Sequence, residues 1–385
     1  MTTNKVLLAI EAMSEIDRMA QAAEKYGYSL VVLAENVPSY GAVEKATLVE
    51  FPTRDFAALS DYIQDNRSRI AQVFSVTDTW GVQASQLRDQ FDFLQFGSTE
   101  RLRQLRDKQY VQETLIKAGL AREVSGYPRI LKAKNGTGKI GVHYVGSEQE
   151  LRGLVEKNGL DLGDYLQQNY YCGSLYSAEV WRDKDVFQFF GVTNRILSEP
   201  PFFTEKVKSF PWECGSEWEK NVESWVSDVL AQLDYDFGLA HVEFVETRHG
   251  FEIVEINCRM AGALITPAIV ASTNFDPYRM VVEQALGLPV TIPDTRIVSG
   301  GSSHVSLYAQ RVGRLSAIEG LDKLDQYLGD VQWHTSKDIG DEISELGTYR
   351  ARIGNVSAQA SSAPLAQDRA ITAAATLTPL IDFSK

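Results

Sequence analysis

Two apolar runs, Ala240–Val245 and Phe251–Ile256, joined by the polar stretch Glu246–Gly250, constrain this chain more than any other feature. Val242, Phe244, Val254 and Ile256 alternate with polar residues at a period of two, the pattern of a strand pair with one face in a core. The short polar joint makes the pair an antiparallel hairpin. Pairing about a turn centred near Arg248 sets Glu243 opposite roughly residues 253–255. Glu255, Asn257 and Arg259 project from one face of their strand, about 6–7 Å apart at each step. Glu243, Glu255 and Asn257 therefore converge on one sheet surface. Two carboxylates in that position repel unless a cation lies between them. Two carboxylates and an amide oxygen are hard donors suited to Mg²⁺, which takes few protein ligands and completes its shell with water and phosphate oxygens. The alternative, two solvated acids on an edge strand, fits poorly with the apolar residues interleaved among them.

A second feature is Asn135-Gly136-Thr137-Gly138-Lys139-Ile140-Gly141, a literal GxGxxG. A dinucleotide fingerprint opens a helix, whereas Gly141–Val145 has the composition of a strand. A P-loop needs a lysine after its last glycine, and Val142 stands there. What remains is a β-hairpin with a long glycine-rich tip, flanked by Lys132, Lys134 and Lys139. Glycines let backbone N–H groups turn towards a phosphate, and lysines add charge. An exposed hairpin with solvated lysines is the competing reading, because Gly and polar residues commonly mark turns.

The first hundred residues alternate strand and helix signals. Lys5–Ile10, Ser29–Ala34 and Val73–Val76 are strand-like, with amphipathic helices over Ile16–Tyr26 and Phe56–Asn66. That rhythm predicts an open parallel sheet. Lys5–Ser14 lacks the glycine-rich turn of a dinucleotide site, so the unit is Rossmann-like without one. Residues 99–118 form a charged amphipathic helix with a break near Arg106–Asp107 and Gly119 as its C-terminal stop. Further strands are expected at Arg129–Ala133, Gly141–Val145, Tyr176–Trp181 and Val186–Val192. Helices are expected at Glu217–Leu233, Asp276–Ala285, Gly320–Leu328 and Leu365–Leu377.

Composition narrows the function. A net charge of −13 and a pI near 5.0 argue against bulk nucleic acid or an anionic membrane as the main partner. Cys172, Cys214 and Cys258 form no CxxC pair, which fits a reducing compartment. The N-terminal stretch has neither the long apolar run nor the small-residue site of a signal peptide, and no window reaches the ~20 apolar residues of a membrane span. The expected location is cytoplasmic. The five histidines show no metal-ligand spacing. His241 shares the face of Glu243, and a hydrogen-bonded structural histidine is preferred over a substrate contact, since one polar partner suffices. No GxSxG elbow suggests a covalent intermediate on the protein.

Taken together, the glycine-rich hairpin with lysines, the Glu243…Glu255-Ile256-Asn257-Cys258-Arg259 hairpin and the N-terminal open sheet resemble the ATP-grasp superfamily, within its carboxylate–amine ligase branch and its bacterial L-amino-acid and dipeptide ligases. Tyr127-Pro128-Arg129-Ile130-Leu131-Lys132 and Arg106-Asp107-Lys108 support the resemblance. It implies an α/β ATP-grasp chain: a Rossmann-like open parallel sheet at 1–97, a linker helix and small α+β subdomain at 98–180, a catalytic subdomain at 181–290, and a C-terminal α+β domain at 291–385. ATP would lie sandwiched between the two subdomains. It further implies that Lys108 and Lys132 contact ATP phosphates, with the loop bearing Gly136, Gly138 and Gly141 closing over them. Gln168 and Tyr171 would lie at the adenine hinge. Glu243, Glu255 and Asn257 would hold one or two Mg²⁺, with Mn²⁺ able to substitute. Arg259 would act on the transferring phosphoryl group or a substrate carboxylate. Glu205, in a loop over Pro200–Pro211, would meet the amine substrate. The reaction implied is amide or peptide bond formation through an acyl phosphate, releasing ADP and phosphate. The partners are a small-molecule carboxylate and amine, with no nucleic acid or membrane, and a homodimer is allowed.

The chain departs from the family pattern at several points. Gln168 replaces the usual hinge acid, and Ser174 and Leu175 stand where an acid commonly holds ribose. Only about seven residues separate Leu120 from Tyr127, which trims the ATP-facing subdomain. Lys208 stands where some dipeptide ligases carry histidine. Rival readings are a biotin-carboxylase-like or purine-pathway ligase on the same fold, or a nucleotide-binding regulatory protein without turnover.

Overall fold

The computed structural model describes residues 5–12, 15–134, 141–184, 186–200 and 202–382. The chain begins with β1 (Val6–Ile10), α1 (Ile16–Lys25), β2 (Ser29–Ala34), β3 (Thr47–Glu50), α2 (Phe56–Asn66), β4 (Ile70–Phe74) and α3 (Asp78–Gln90). The strands form a parallel sheet in the order β3-β2-β1-β4. Every residue of β1 is buried, because helices cover both faces. Two elements here escape the sequence pattern. β3 is a short, half-exposed edge strand with no alternation to mark it. α3 carries Gly81 and little apolar periodicity, so its helix rests on packing.

The predicted helical break falls where expected, between α4 (Thr99–Arg106) and α5 (Lys108–Lys117). Asp107 is extended, and its carboxylate accepts hydrogen bonds from the backbone N–H groups of Gln109 and Tyr110, so it caps α5. That cap sets Lys108 at the first position of α5. Gly119 follows with φ of 72°, a conformation glycine adopts at no steric cost.

A three-stranded sheet, ordered β6-β5-β7, comprises β5 (Arg129–Ala133), β6 (Val142–Val145) and β7 (Tyr165–Asn169), with α6 (Glu148–Asn158) between the last two. The β5–β6 pair is the predicted hairpin. Gly136 and Gly138, in its tip, lie outside the described residues.

The largest sheet starts with β8 (Ser174–Asp183), β9 (Val186–Leu197) and β10 (Glu205–Phe210), then α7 (Glu217–Gln232), β11 (Gly238–Thr247) and β12 (Gly250–Asn257). The expected boundary between residues 180 and 181 falls inside β8. After α8 (Ile265–Ser272) and α9 (Pro277–Ala285) come β13 (Gly301–Tyr308), β14 (Gly313–Glu319), β15 (Gln332–Thr335), β16 (Glu342–Ile343), β17 (Arg352–Ala360), α10 (Ala363–Ala374) and β18 (Thr378–Asp382). Eight strands join in the order β12-β11-β8-β9-β10-β13-β17-β15, while β16, β14 and β18 make a separate small sheet. Glu205 opens a strand rather than sitting in a loop: β10 pairs with both β9 and β13, and its Val207–Phe210 stretch is buried. The helix expected at Gly320–Leu328 is a short 3-10 segment, Leu321–Gln326. Among the described residues no helix is long and apolar enough to cross a membrane.

One face of the large sheet packs under α7. Ala178, Val180, Val192, Val242 and Phe244 meet Val222, Val226 and Val229 there. Period-two alternation then drives the intervening polar side chains to the opposite face.

Candidate active site

On that opposite face the register aligns polar residues strand by strand. Asn257 pairs with His241, which pairs with Glu179. Glu255 pairs with Glu243, which pairs with Ser177, itself opposite Thr193. Arg195 pairs with Lys208, and Lys208 with His304. This strip floors a cleft of about 1020 Å³ whose walls come from α5, the small sheet, the N-terminal domain and the C-terminal strands. Nine of the twelve predicted site residues line it: Lys108, Gly141, Gln168, Tyr171, Glu205, Glu243, Glu255, Asn257 and Arg259. Lys132 stands beside it, its ammonium donating to the carbonyl of Val254 at 2.9 Å.

The paired acids are compensated individually. Lys108 Nζ lies 3.2 Å from Glu255 Oε1. Glu243 Oε1 lies 2.7 Å from Arg195 Nη1 and 3.2 Å from His241 Nε2. Burial alone would raise the Glu243 pKa, but the Arg195 charge and the His241 contact outweigh it and hold the carboxyl far below its ordinary range. Burial would likewise lower His241. The fully buried Glu179, 2.8 Å from Nδ1, and Glu243 reverse that and push His241 up to about 9. His241 is thus a cation at neutral pH, donating to a carboxylate on either side. Glu179 also accepts from Ser177 Oγ at 2.7 Å and Thr193 Oγ1 at 3.1 Å, which fixes the ring plane. The structural reading of His241 holds in that it has two carboxylate partners, and it also lines the cleft.

Arg195 joins the two halves of the strip. Its guanidinium pairs with Glu205 as well as Glu243, and Lys208 pairs with the other Glu205 oxygen. A planar fork can serve two acceptors where an ammonium acts as a point charge. Burial depresses the Lys208 pKa despite Glu205, since Arg195 stands nearby. Glu179, Glu205 and Glu243 against His241, Arg195 and Lys208 make this centre electrically balanced.

Arg259 is anchored rather than loose. Its Nε donates to Asp78 Oδ2 at 2.5 Å and its Nη1 to the Met260 carbonyl at 2.9 Å. Asp78 is the first residue of α3, so this bond ties the N-terminal domain to the end of the β11–β12 hairpin. Gln168, buried on β7, donates to the Ile253 carbonyl at 2.8 Å, linking the small sheet to β12. Beside it, Arg122 pairs with Glu252 and lies over the ring of Tyr171. Sequence reasoning missed Arg195, Glu179 and Asp78. A charged residue inside the apolar runs of β8 and β9 was the available signal for the first two. Asp78 had none, since its partner is 181 residues away.

Among the described residues no cluster of three or more His, Cys, Asp or Glu could hold a metal. The set present is two carboxylates facing each other across β11 and β12, with the Asn257 amide, whose Nδ2 is buried without a partner. Those donors fit a hard cation that keeps most of its shell for water and phosphate.

Comparisons with known proteins bear on the fold. The architecture superposes on an L-amino acid ligase from Bacillus licheniformis with a TM-score of 0.85 at 17% identity, covering 98% of this chain and 99% of that one. It also superposes on the biotin carboxylase domain of the Hydrogenobacter thermophilus 2-oxoglutarate carboxylase, solved with MgADP and bicarbonate, at a TM-score of 0.73 and 17% identity over 98% and 91% of the chains. The chain therefore has the ATP-grasp fold. Within it, residues 305–381 match the L-amino acid ligase C-terminal domain 2. A curated relative, the uncharacterized protein y4rH of Sinorhizobium fredii, is 27% identical over 248 residues, 62% of this chain; the chain spans half of that relative's length.

Proposed function

We propose that the chain is an ATP- and Mg²⁺-dependent ligase of the L-amino acid ligase type, joining a carboxylate to an amine. The observation that carries this reading is the Glu243–Glu255 register pair in a cleft where Lys108, Arg195 and His241 compensate the two acids. Glu243, Glu255 and Asn257 would hold the cation, which when bound screens the nucleotide phosphates. Lys108 at the start of α5 and Lys132 add positive charge on the nucleotide side. A carboxylate oxygen of the first substrate attacks the γ-phosphorus, the bond to the bridging oxygen breaks, and ADP leaves with that electron pair. The amine nitrogen then attacks the acyl carbon, the carbon–oxygen bond to phosphate breaks, and nitrogen gives up a proton. Preorganised charge and exclusion of water are what such chemistry asks of a protein. Arg259, held by Asp78, faces the transferring group. Glu205, held by Arg195 and Lys208, orients the amine. The match over residues 305–381 supports amino-acid-type substrates over bicarbonate or a purine precursor.

The test is ADP and phosphate release with Mg²⁺·ATP across all pairs of the twenty amino acids, with mass spectrometry of the products. Release that needs two amino acids and yields a dipeptide supports the reading. Release with bicarbonate alone, or tight ATP binding with no release for any pair, would replace it with a carboxylase-like or a regulatory role.

A further inference from the structure

At the C-terminal end of the cleft the charge balance breaks. Tyr308 on β13 and Arg352 on β17 are register partners and both line the cleft, with Lys208 two strands away on β10. Lys208 is already committed to Glu205. Arg352 makes no ion pair with any described carboxylate, and its Nε is buried without a hydrogen-bond partner. His304, behind Lys208, is only 3% exposed, and its Nε2 is equally unpartnered. Burial holds its pKa well below the usual histidine range, and the charges of Lys208 and Arg352 push the same way against Glu205. A buried donor left without an acceptor is costly. Here it is turned into a cleft wide enough to admit a ligand. A planar fork beside a phenol matches a carboxylate, which accepts both of its N–H bonds at once. The paired acids stand on β11 and β12, at the opposite end of the strand order, so this corner lies on the side of the second substrate.

We propose that Arg352, with Tyr308 beside it, is a carboxylate-binding subsite, so that one substrate of this ligase presents a carboxylate that is never phosphorylated. The inference rests on the ligase reading for which substrate it is, though not for the binding itself. The carboxylate comes either from the α-carboxyl of the acceptor amino acid or from the side chain of an acidic one.

Calorimetric titration of the full chain, preloaded with Mg²⁺ and a non-hydrolysable ATP analogue, tests it. The probes are the twenty L-amino acids, their α-amides, and Asp and Glu against Asn and Gln. Wild type should bind the carboxylate member of one series at least about tenfold more tightly, and Arg352→Gln should bring that ratio to within about threefold. Arg352→Lys, which keeps the charge and loses the fork, should fall between. Discrimination among the α-amides identifies the acceptor's own carboxyl; discrimination confined to Asp and Glu identifies a side chain. Discrimination that survives Arg352→Gln, or its absence from wild type, overturns the subsite. So does a variant whose loss is in affinity for the ATP analogue, which would make Arg352 a nucleotide ligand. If binding discriminates as expected while no amino-acid pair releases ADP, the ligase reading fails and the subsite stands.

Discussion

Lys108 Nζ lies 3.2 Å from Glu255 Oε1, so the first residue of α5 reaches the acid that faces Glu243 across the β11–β12 hairpin. Both residues are partly exposed, which keeps the worth of the pair small for stability. Its consequence is functional: a cation that binds Glu255 must share it with Lys108 or displace it. Glu255→Gln should lower Mg²⁺·ATP turnover by at least about a hundredfold, roughly 2.7 kcal/mol of activation free energy. Unfolding free energy should move by no more than about 1 kcal/mol. Steady-state ADP release and a urea titration check both halves, and near-normal turnover would remove Glu255 from the metal site.

The role in turnover proposed for Arg259 draws on its anchoring, since Asp78 and the Met260 carbonyl fix its guanidinium. An interaction realised mainly in the transition state lowers kcat, whereas uniform binding changes KM. Arg259→Lys should cut kcat by at least about tenfold, ~1.4 kcal/mol. Affinity for a non-hydrolysable ATP analogue should change less than about threefold. Asp78→Asn, which releases the fork without removing it, should lower kcat in the same direction by a smaller factor. Collapse of analogue affinity with kcat retained would make Arg259 a nucleotide ligand.

How far the sequence carried is clearest at the hairpin. Val242, Phe244 and Ile256 bury one face as their alternation requires, which placed Glu243 opposite roughly residues 253–255. A register shift between Glu243 and Phe244, which no residue pattern marks, brings Ile253 rather than Val254 into the core and sets Glu243 opposite Glu255. The break at Asp107 was legible for a local reason, a capping acid between two amphipathic stretches. What stayed hidden depends on distant partners. Arg195 meets Glu243 across β8, and Asp78 meets Arg259 across domains. Elements held by packing rather than pattern, such as α3 and the edge strand β3, were hidden for a related reason: their apolar periodicity is weak.

Arg195 should be the most costly single residue of the site. It is fully buried between Glu205 and Glu243, whose charges keep its own pKa raised against the effect of burial. Arg195→Met leaves two carboxylates without that partner, and breaking a buried pair from one side costs about 3–5 kcal/mol. Adding Glu205→Gln should restore part of the loss, since one uncompensated charge is removed. A double-mutant cycle by urea denaturation measures the coupling, and additive losses would mean that Arg195 and Glu205 are not energetically joined.

His304 gives the protein an acid-side instability of defined sign. Burial, reinforced by Lys208 and Arg352 and only partly opposed by Glu205, lowers its pKa well below the ordinary 6.5. In the folded chain it therefore stays neutral while the unfolded chain binds a proton. The unfolded state holds more protons as pH falls, so this contribution is fully present above pH ~6.5 and is lost progressively below it. With the folded pKa far down, wild type should lose about 1.4 kcal/mol between pH 7.5 and 5.5 from this group alone. His304→Gln removes the titration whatever its own effect on stability. The gap between variant and wild type, followed by urea denaturation across that range, should shift by that amount in favour of the variant. Parallel stability curves would show that His304 takes up its proton as readily in the folded chain as in the unfolded one.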